Sequence, residues 1–306
     1  TVSGGESATA EKGQAPQLRT VVRPRDAVQW SLFYPPVMAA PEQASGGNSD
    51  AQASLQDAAS LLSVGRVDEA RVSIDKALQL DSKAGEAYAL RAVINVVQNN
   101  TDQALADANQ AVALSPDSAA AKIALSYAQQ AVFDIAGARD TLKQAVQQQP
   151  EDALAWARLA ELQLMMGDRM QARADAERAV SLRPDLGRAQ ITLGFTALAE
   201  FRNEEAKAAF QQAIADSSSD PLPHLGLGLA SISAGELEQG TGEIELAVAL
   251  DSNDSLYRSY LGKAYFVEKR APLDAEQFAI AKQLDPNDPT AYLSSGIAKQ
   301  PEYRPV

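Results

Sequence analysis

The chain contains no cysteine and one histidine, His224, in 306 residues. The first absence excludes a disulfide scaffold, thiol catalysis and thiolate metal sites. The second excludes a histidine-based metal cluster within one chain. No run of eighteen apolar residues occurs, so no membrane span is expected. Basic residues are also short, 27 Lys and Arg against 40 Asp and Glu. The net charge of −13 argues against generic binding to a nucleic-acid backbone and against docking on anionic lipid. A solvated acidic face is its plainer meaning. The chain begins at Thr1 without a charged-then-apolar leader, so a processed or excised start is expected.

What the chain does have is a period of 34 residues. Ala70, Ala104, Ala138, Ala172 and Ala206 recur at that interval, as do Ala77, Ala111, Ala145, Ala179, Ala213, Ala247 and Ala281. A repeat of this length marks stacked helical hairpins rather than a catalytic pocket. The units begin at Ala51, Gly85, Ala119, Ala153, Gly187, Pro221 and Ser255, with a partial eighth at Pro289. Between the two alanine columns stand Ile74, Leu142, Phe210, Ile244 and Phe278, the larger apolar residues of a second helix. Pro116, Pro150, Pro184 and Pro286 stop helices at unit ends. Gly65, Gly167 and Gly235 share one place inside their units, where a tight turn asks for φ > 0.

These residues resemble the tetratricopeptide repeat family over about 51–306. The fourth unit carries the pattern best, in Trp156, Leu159, Ala160, Gly167, Ala172, Ala179 and Pro184. Elsewhere Ser82, Ser218 and Ser252 replace the terminal proline, and Gly240 and Asp274 replace the key alanine, which puts the tightness of those helix contacts in doubt. The resemblance implies an all-α, right-handed superhelical solenoid of about seven hairpins plus a partial eighth. Pro289 to Gln300 should form a lone first helix, and the chain is expected to end there as a fragment or a stacking surface.

Residues 1–38 follow a different grammar. Thr1 to Pro16 is rich in Gly, Ser and Thr, and Pro24, Pro35 and Pro36 forbid one continuous helix in the run that follows. Its aromatic and β-branched content favours extended segments, and 39–50 reads as a flexible linker. The stretch Ala-Val-Gln-Trp-Ser-Leu-Phe-Tyr-Pro-Pro ahead of a repeat array resembles bacterial envelope proteins that join a FecR-type β domain to such repeats. On that resemblance 1–38 is an extended arm or the remnant of a FecR-type domain, and the expected location is the bacterial periplasm or extracellular surface. The cytoplasm stays open.

In such solenoids the first helix of each unit lines the concave face through its second, fifth, ninth and twelfth positions. Apolar types fill most of these, including Val93, Val96, Ile123, Tyr127, Leu154, Leu164, Ile191, Phe195, Leu198, Leu222, Leu225, Leu229, Ile232 and Phe266. Two readings compete: winding buries part of the stripe between units, or an apolar segment lies along it, since so extended an exposed patch is a liability. Trp30, Phe33 and Tyr34 are the anchors the chain itself offers. The burial of three rings and the ordering of about ten residues nearly cancel, so docking depends on effective concentration. The linker reaches at most about 40 Å, enough for the first units. The stripe at Leu222, Leu225, Leu229 and Ile232 is therefore expected to take a segment of another molecule, such as an identical subunit.

The chemical inventory is thin. His224 reads as structural, and the pairs Glu151–Asp152, Glu204–Glu205 and Asp285–Asp288 read as helix caps. The 251–254 and 285–288 turns lack the glycine and terminal glutamate of an EF-hand loop, and Gly4-Gly5 and Gly46-Gly47 lack the Lys-Ser/Thr of a phosphate loop. Leu55, Ala59 and Val93 stand where the family's chaperone-tail clamp needs Lys and Asn. No catalytic residue, metal or cofactor is expected. The function expected is a non-enzymatic interaction scaffold with protein or peptide partners, identical subunits included. A subunit polymerising head to tail into a filament and an adaptor for unrelated peptides are the alternatives.

Overall fold

The computed structural model describes residues 6–9, 17–20, 49–63, 66–286, 291–292 and 295–296. Near the N-terminus, β1 (Glu6–Thr9) pairs antiparallel with β2 (Gln17–Thr20), with Glu6 opposite Thr20 and Thr9 opposite Gln17. Fourteen helices follow among the described residues, two to each of seven units. The first helices are α1 (Ser49–Ser63), α3 (Gly85–Val97), α5 (Ala119–Ala131), α7 (Ala153–Met165), α9 (Gly187–Ala199), α11 (Pro221–Ser233) and α13 (Ser255–Val267). The second helices are α2 (Val67–Leu80), α4 (Thr101–Leu114), α6 (Ile135–Gln148), α8 (Arg169–Leu182), α10 (Asn203–Asp216), α12 (Leu237–Leu250) and α14 (Leu273–Leu284). The architecture is the all-α solenoid expected from the period. Helix α1 starts at Ser49, so Ser49 and Asp50 belong to the helix rather than to the linker expected over 39–50. Asp50 stands in the first turn, where its charge complements the helix dipole. Of the partial eighth unit, 291–292 and 295–296 are helical; the rest of that expectation lies outside the described residues.

One closing device recurs in every hairpin. The first helix ends in a Schellman-type turn, in which a backbone N–H reaches five residues back, as in Arg66 to Leu61, Asp134 to Gln129 and Arg202 to Ala197. The residue just before that donor is left-handed wherever it is described: Asn99, Phe133, Gly167, Phe201, Gly235 and Lys269. Gly167 and Gly235 agree with the sequence expectation, and Gly65 lies outside the described residues. The same conformation on two phenylalanines was not legible from glycine alone. Second helices close alike, the carbonyls of Ala77, Ala111, Ala145, Ala179, Ala213, Ala247 and Ala281 each accepting from the residue four further on. Asp134, Asp152, Asp168, Asp220 and Asp254 cap the helices that follow them.

The helices form two compact units, divided between Arg202 and Asn203. In the first, α1–α7 share a core with Ala70, Ile74, Ala104, Ala138 and Leu142 fully buried, and Ala157, Ala179 and Ala189 join α7, α8 and α9 in a smaller cluster. In the second, Phe210, Ile244 and Phe278 fill the same repeat column, and Gly226 and Gly262 make room for the Phe210 and Phe278 rings. Gly228 and Gly240 bring α11 and α12 together almost backbone to backbone, since a Cβ on either would stand 2.6 Å from the other's carbonyl oxygen. The doubt attached to Gly240 is thereby removed: that contact is tight because both residues are small. A polar column also ties several second helices to their own first helices, with Ala209 replacing the polar residue on α10. Asp107 accepts from Arg91 at 2.8 and 2.9 Å and from Asn95 at 2.9 Å, Thr141 bonds Gln129, and Gln277 accepts from Arg258. Glu243 holds His224 by Nδ1 at 2.8 Å.

Candidate functional site

The stripe expected on the first helices divides by register. The fifth position of each unit is buried throughout, in Leu55, Ala89, Ile123, Ala157, Ile191, Leu225 and Ser259. Within each unit successive first helices touch one another, which closes over this column. Of the named stripe residues, Val93, Ile123, Tyr127, Leu154, Ile191 and Leu225 are buried. Val96, Leu164, Phe195, Leu198, Leu222, Leu229 and Ile232 are half-buried, and Phe266 is 40% exposed. Winding therefore accounts for part of the stripe, and apolar surface stays open mainly at the ninth and twelfth positions. Trp30, Phe33 and Tyr34 lie outside the described residues.

In the first unit the stripe is interrupted by a buried ionic cluster. The Arg158 guanidinium stacks 3.7 Å from the centroid of the Tyr127 ring. It also donates to Glu161 at 3.0 Å, to Ser126 at 3.2 Å and to Gln130. Arg188 donates to the other oxygen of Glu161, which Thr192 also approaches. Burial pushes the Glu161 carboxyl up, but the guanidiniums of Arg188 and Arg158 outweigh it and hold the group below its usual range. Burial raises the Tyr127 hydroxyl. Three first helices, α5, α7 and α9, are joined this way. Arg158 was missed because it stands one place beside the fifth position. The available signal was the 27-residue spacing of Glu161 and Arg188, which recurs in the pairs Glu151–Arg178 and Arg173–Glu200.

The second unit keeps its stripe apolar. Leu222, Leu229 and Ile232 on α11 and Leu256, Tyr260 and Phe266 on α13 are half-buried to exposed, and Lys263 adds a cation 4.4 Å from the Tyr260 ring centroid. Such a surface can hold aliphatic and aromatic side chains by area alone. It offers no acid–base pair.

Other features have structural explanations. A cavity of about 530 Å³ lies among α6, α7 and α8, lined by Lys143, Trp156, Leu159, Gln163 and Asp175. Burial raises the Asp175 carboxyl, which accepts from Gln171 at 2.9 Å. Among the described residues no His, Asp and Glu cluster is suited to a metal ion, and no helix is long and apolar enough to cross a membrane.

Residues 55–119 match the family model for the tetratricopeptide repeat. The chain has the tetratricopeptide repeat fold. Among solved structures, the solenoid is similar to the APC/C hetero-tetramer Cut9–Hcn1, with a TM-score of 0.69 and 14% identity over 80% of this chain. The chain spans 49% of the length of that one. A tetratricopeptide repeat protein from Parabacteroides merdae aligns at 0.58 and 14% identity, covering 83% of this chain and all of its own. The thermophilic TPR protein TTC0263 of Thermus thermophilus aligns at 0.54 and 22% identity, over 58% of this chain and 96% of its own. No curated protein matches the chain in sequence. The tetratricopeptide repeat fold is consistent with a protein–protein interaction scaffold.

Proposed function

We propose that this solenoid is a non-enzymatic scaffold whose open first-helix stripe holds an extended apolar or aromatic protein segment. The observation that carries the reading is the second unit's surface at Leu222, Leu229, Ile232 and Phe266, apolar and incompletely buried although the column beside it is sealed. Trp30, Phe33 and Tyr34, on the same chain or on a neighbouring copy, are the proposed occupants. Docking on a neighbour would join copies head to tail, as a polymerising structural subunit requires. The similar chain of the Cut9–Hcn1 hetero-tetramer is in keeping with assembly as the task of such a fold. The envelope location rests on the resemblance of the 27–36 stretch to FecR-type proteins.

A photo-crosslinking amino acid placed at Phe33 of the full chain tests this. The expected adducts fall at 222–232 and are lost with Leu229→Glu or Ile232→Glu. A monomer-sized adduct means docking within the chain, and a dimer-sized one means exchange. Adducts that ignore both substitutions would overturn the proposal and favour a surface that takes unrelated peptides elsewhere.

A further inference from the structure

A second apolar surface lies on the turns between first and second helices, away from the stripe. Phe133 is 90% exposed, Phe201 79% and Met170 83%, and Val132, Met165 and Met166 are exposed beside them. All six lie between Val132 and Phe201, at three consecutive turns, and so within the first unit. Phe133 and Phe201 are moreover held at φ of 64° and 60°, a region that bulky side chains avoid. The same turn position carries Gly167 in the hairpin between them. An exposed aromatic in a strained backbone gains nothing for the fold. Retaining two of them on one edge points to a use outside the fold.

We infer that this ridge is the interface with a second copy of the chain, related by a two-fold axis through the turn at Gly167. Three observations single out that occupant. The exposed parts of the six side chains come to roughly 700 Å², close to the ~800 Å² per partner of a standard-sized interface. The order of side chains reads the same in both directions, phenylalanine, methionines, phenylalanine, so a two-fold axis pairs aromatic with aromatic at both ends and methionines with methionines between them. Charge supplies the direction. Asp134, exposed while it caps the Gly137 N–H, and Arg202, exposed beside Glu200 at 3.9 Å, follow the two phenylalanines at the same turn position with opposite sign. A two-fold axis sets Asp134 against the partner's Arg202 twice over, whereas side-by-side alignment would set like charges together; at the axis itself the exposed Asp168 is followed by the exposed Arg169, so the centre carries both signs. The flexible methionines fill the centre, where adaptable packing is useful. Protruding turn tips cannot enclose a peptide, and a net charge of −13 disfavours an anionic lipid surface.

Sedimentation equilibrium of the full chain tests the inference. The parent protein is expected at twice its 32.4 kDa, and Phe133→Ser with Phe201→Ser should weaken dimerisation at least tenfold. Arg202→Glu and Asp134→Lys should each give monomers alone, and an equimolar mixture of the two should recover the dimer. The mixture also controls for folding, because only folded chains can pair. A parent that stays monomeric at the highest soluble concentration would overturn the inference. So would a dimer insensitive to the two phenylalanines, or a mixture that fails to pair. A dimer lost through Trp30→Ala and Phe33→Ala, but kept by the ridge variants, would assign association to the arm instead.

Discussion

Arg158 lies over the face of Tyr127, 3.7 Å from its ring centroid, although 31 positions separate the two in the chain. The contact bridges α5 and α7, and through Glu161 it continues to Arg188 on α9. A surface expected to be apolar is therefore held together, in its middle, by a buried ion cluster.

Removing that guanidinium leaves Glu161 buried with one cation fewer and exposes the Tyr127 face. Arg158→Ala is expected to cost about 3–5 kcal/mol, read as a lower urea midpoint. Arg158→Lys should recover only part of this, because an ammonium cannot bond Glu161, Ser126 and Gln130 while lying flat on the ring. Equal stability of the alanine and lysine variants would contradict the geometry.

Gly240 and Gly242 lie on the same helix and should respond oppositely to alanine. At Gly242 nothing stands within 4 Å of a new Cβ, so better helix propensity should stabilise by about 0.8–1 kcal/mol. At Gly240 the Cβ would meet the Gly228 carbonyl oxygen at 2.6 Å, and overpacking should destabilise by about 1–3 kcal/mol. Thermal melts of the two variants decide it.

Burial pushes the Asp251 carboxyl up from 3.8 to about 6. The folded chain holds this proton more tightly than the unfolded chain, so ionisation penalises the native state. Stability should fall as pH rises from about 4 to about 6 and then level off. Asp251→Asn keeps an oxygen to accept the Asn253 N–H, a bond of 3.1 Å, and lacks the charge. Its advantage over the parent should grow across that window to about 2 kcal/mol, a figure reduced for residual solvent contact. A pH-independent difference would refute this origin.

Phe133→Gly should stabilise each chain by about 1 kcal/mol, because glycine accepts the left-handed turn without the clash of a Cβ. The melting temperature should rise at concentrations too low for association. A fall would mean that the Phe133 ring packs within its own chain.

The repeat was legible because helix stacking repeats the same demands every 34 residues. A small residue is needed where helices cross, hence the Ala70 and Ala77 columns, and a helix stop is needed at unit ends, hence Pro116 and Pro184. These are local requirements, written in residue type, and the tetratricopeptide repeat solenoid follows from them. Gly167 and Gly235 announced their turns for the same reason. Phe133, Phe201 and Lys269 did not, because there the Schellman hydrogen bonds of the hairpin impose the conformation on residues that do not favour it, and Asn99, which tolerates it, gave a weaker signal than glycine.

The face of the first helices was legible only in outline. Residue type marked Ile123, Ile191 and Leu225 as apolar, and it could not distinguish a side chain sealed between neighbouring helices from one left open, such as Phe266. Nor could it place Arg158 on Tyr127 or Gly228 against Gly240. Those relations depend on the angle and distance at which whole helices meet, a balance of every contact along them. Sequence alone determined the unit, its period and the turns marked by glycine; the tertiary structure decided which apolar residues are core and which are surface. Periodicity is a property of single helices and their ends, whereas exposure is a property of their packing.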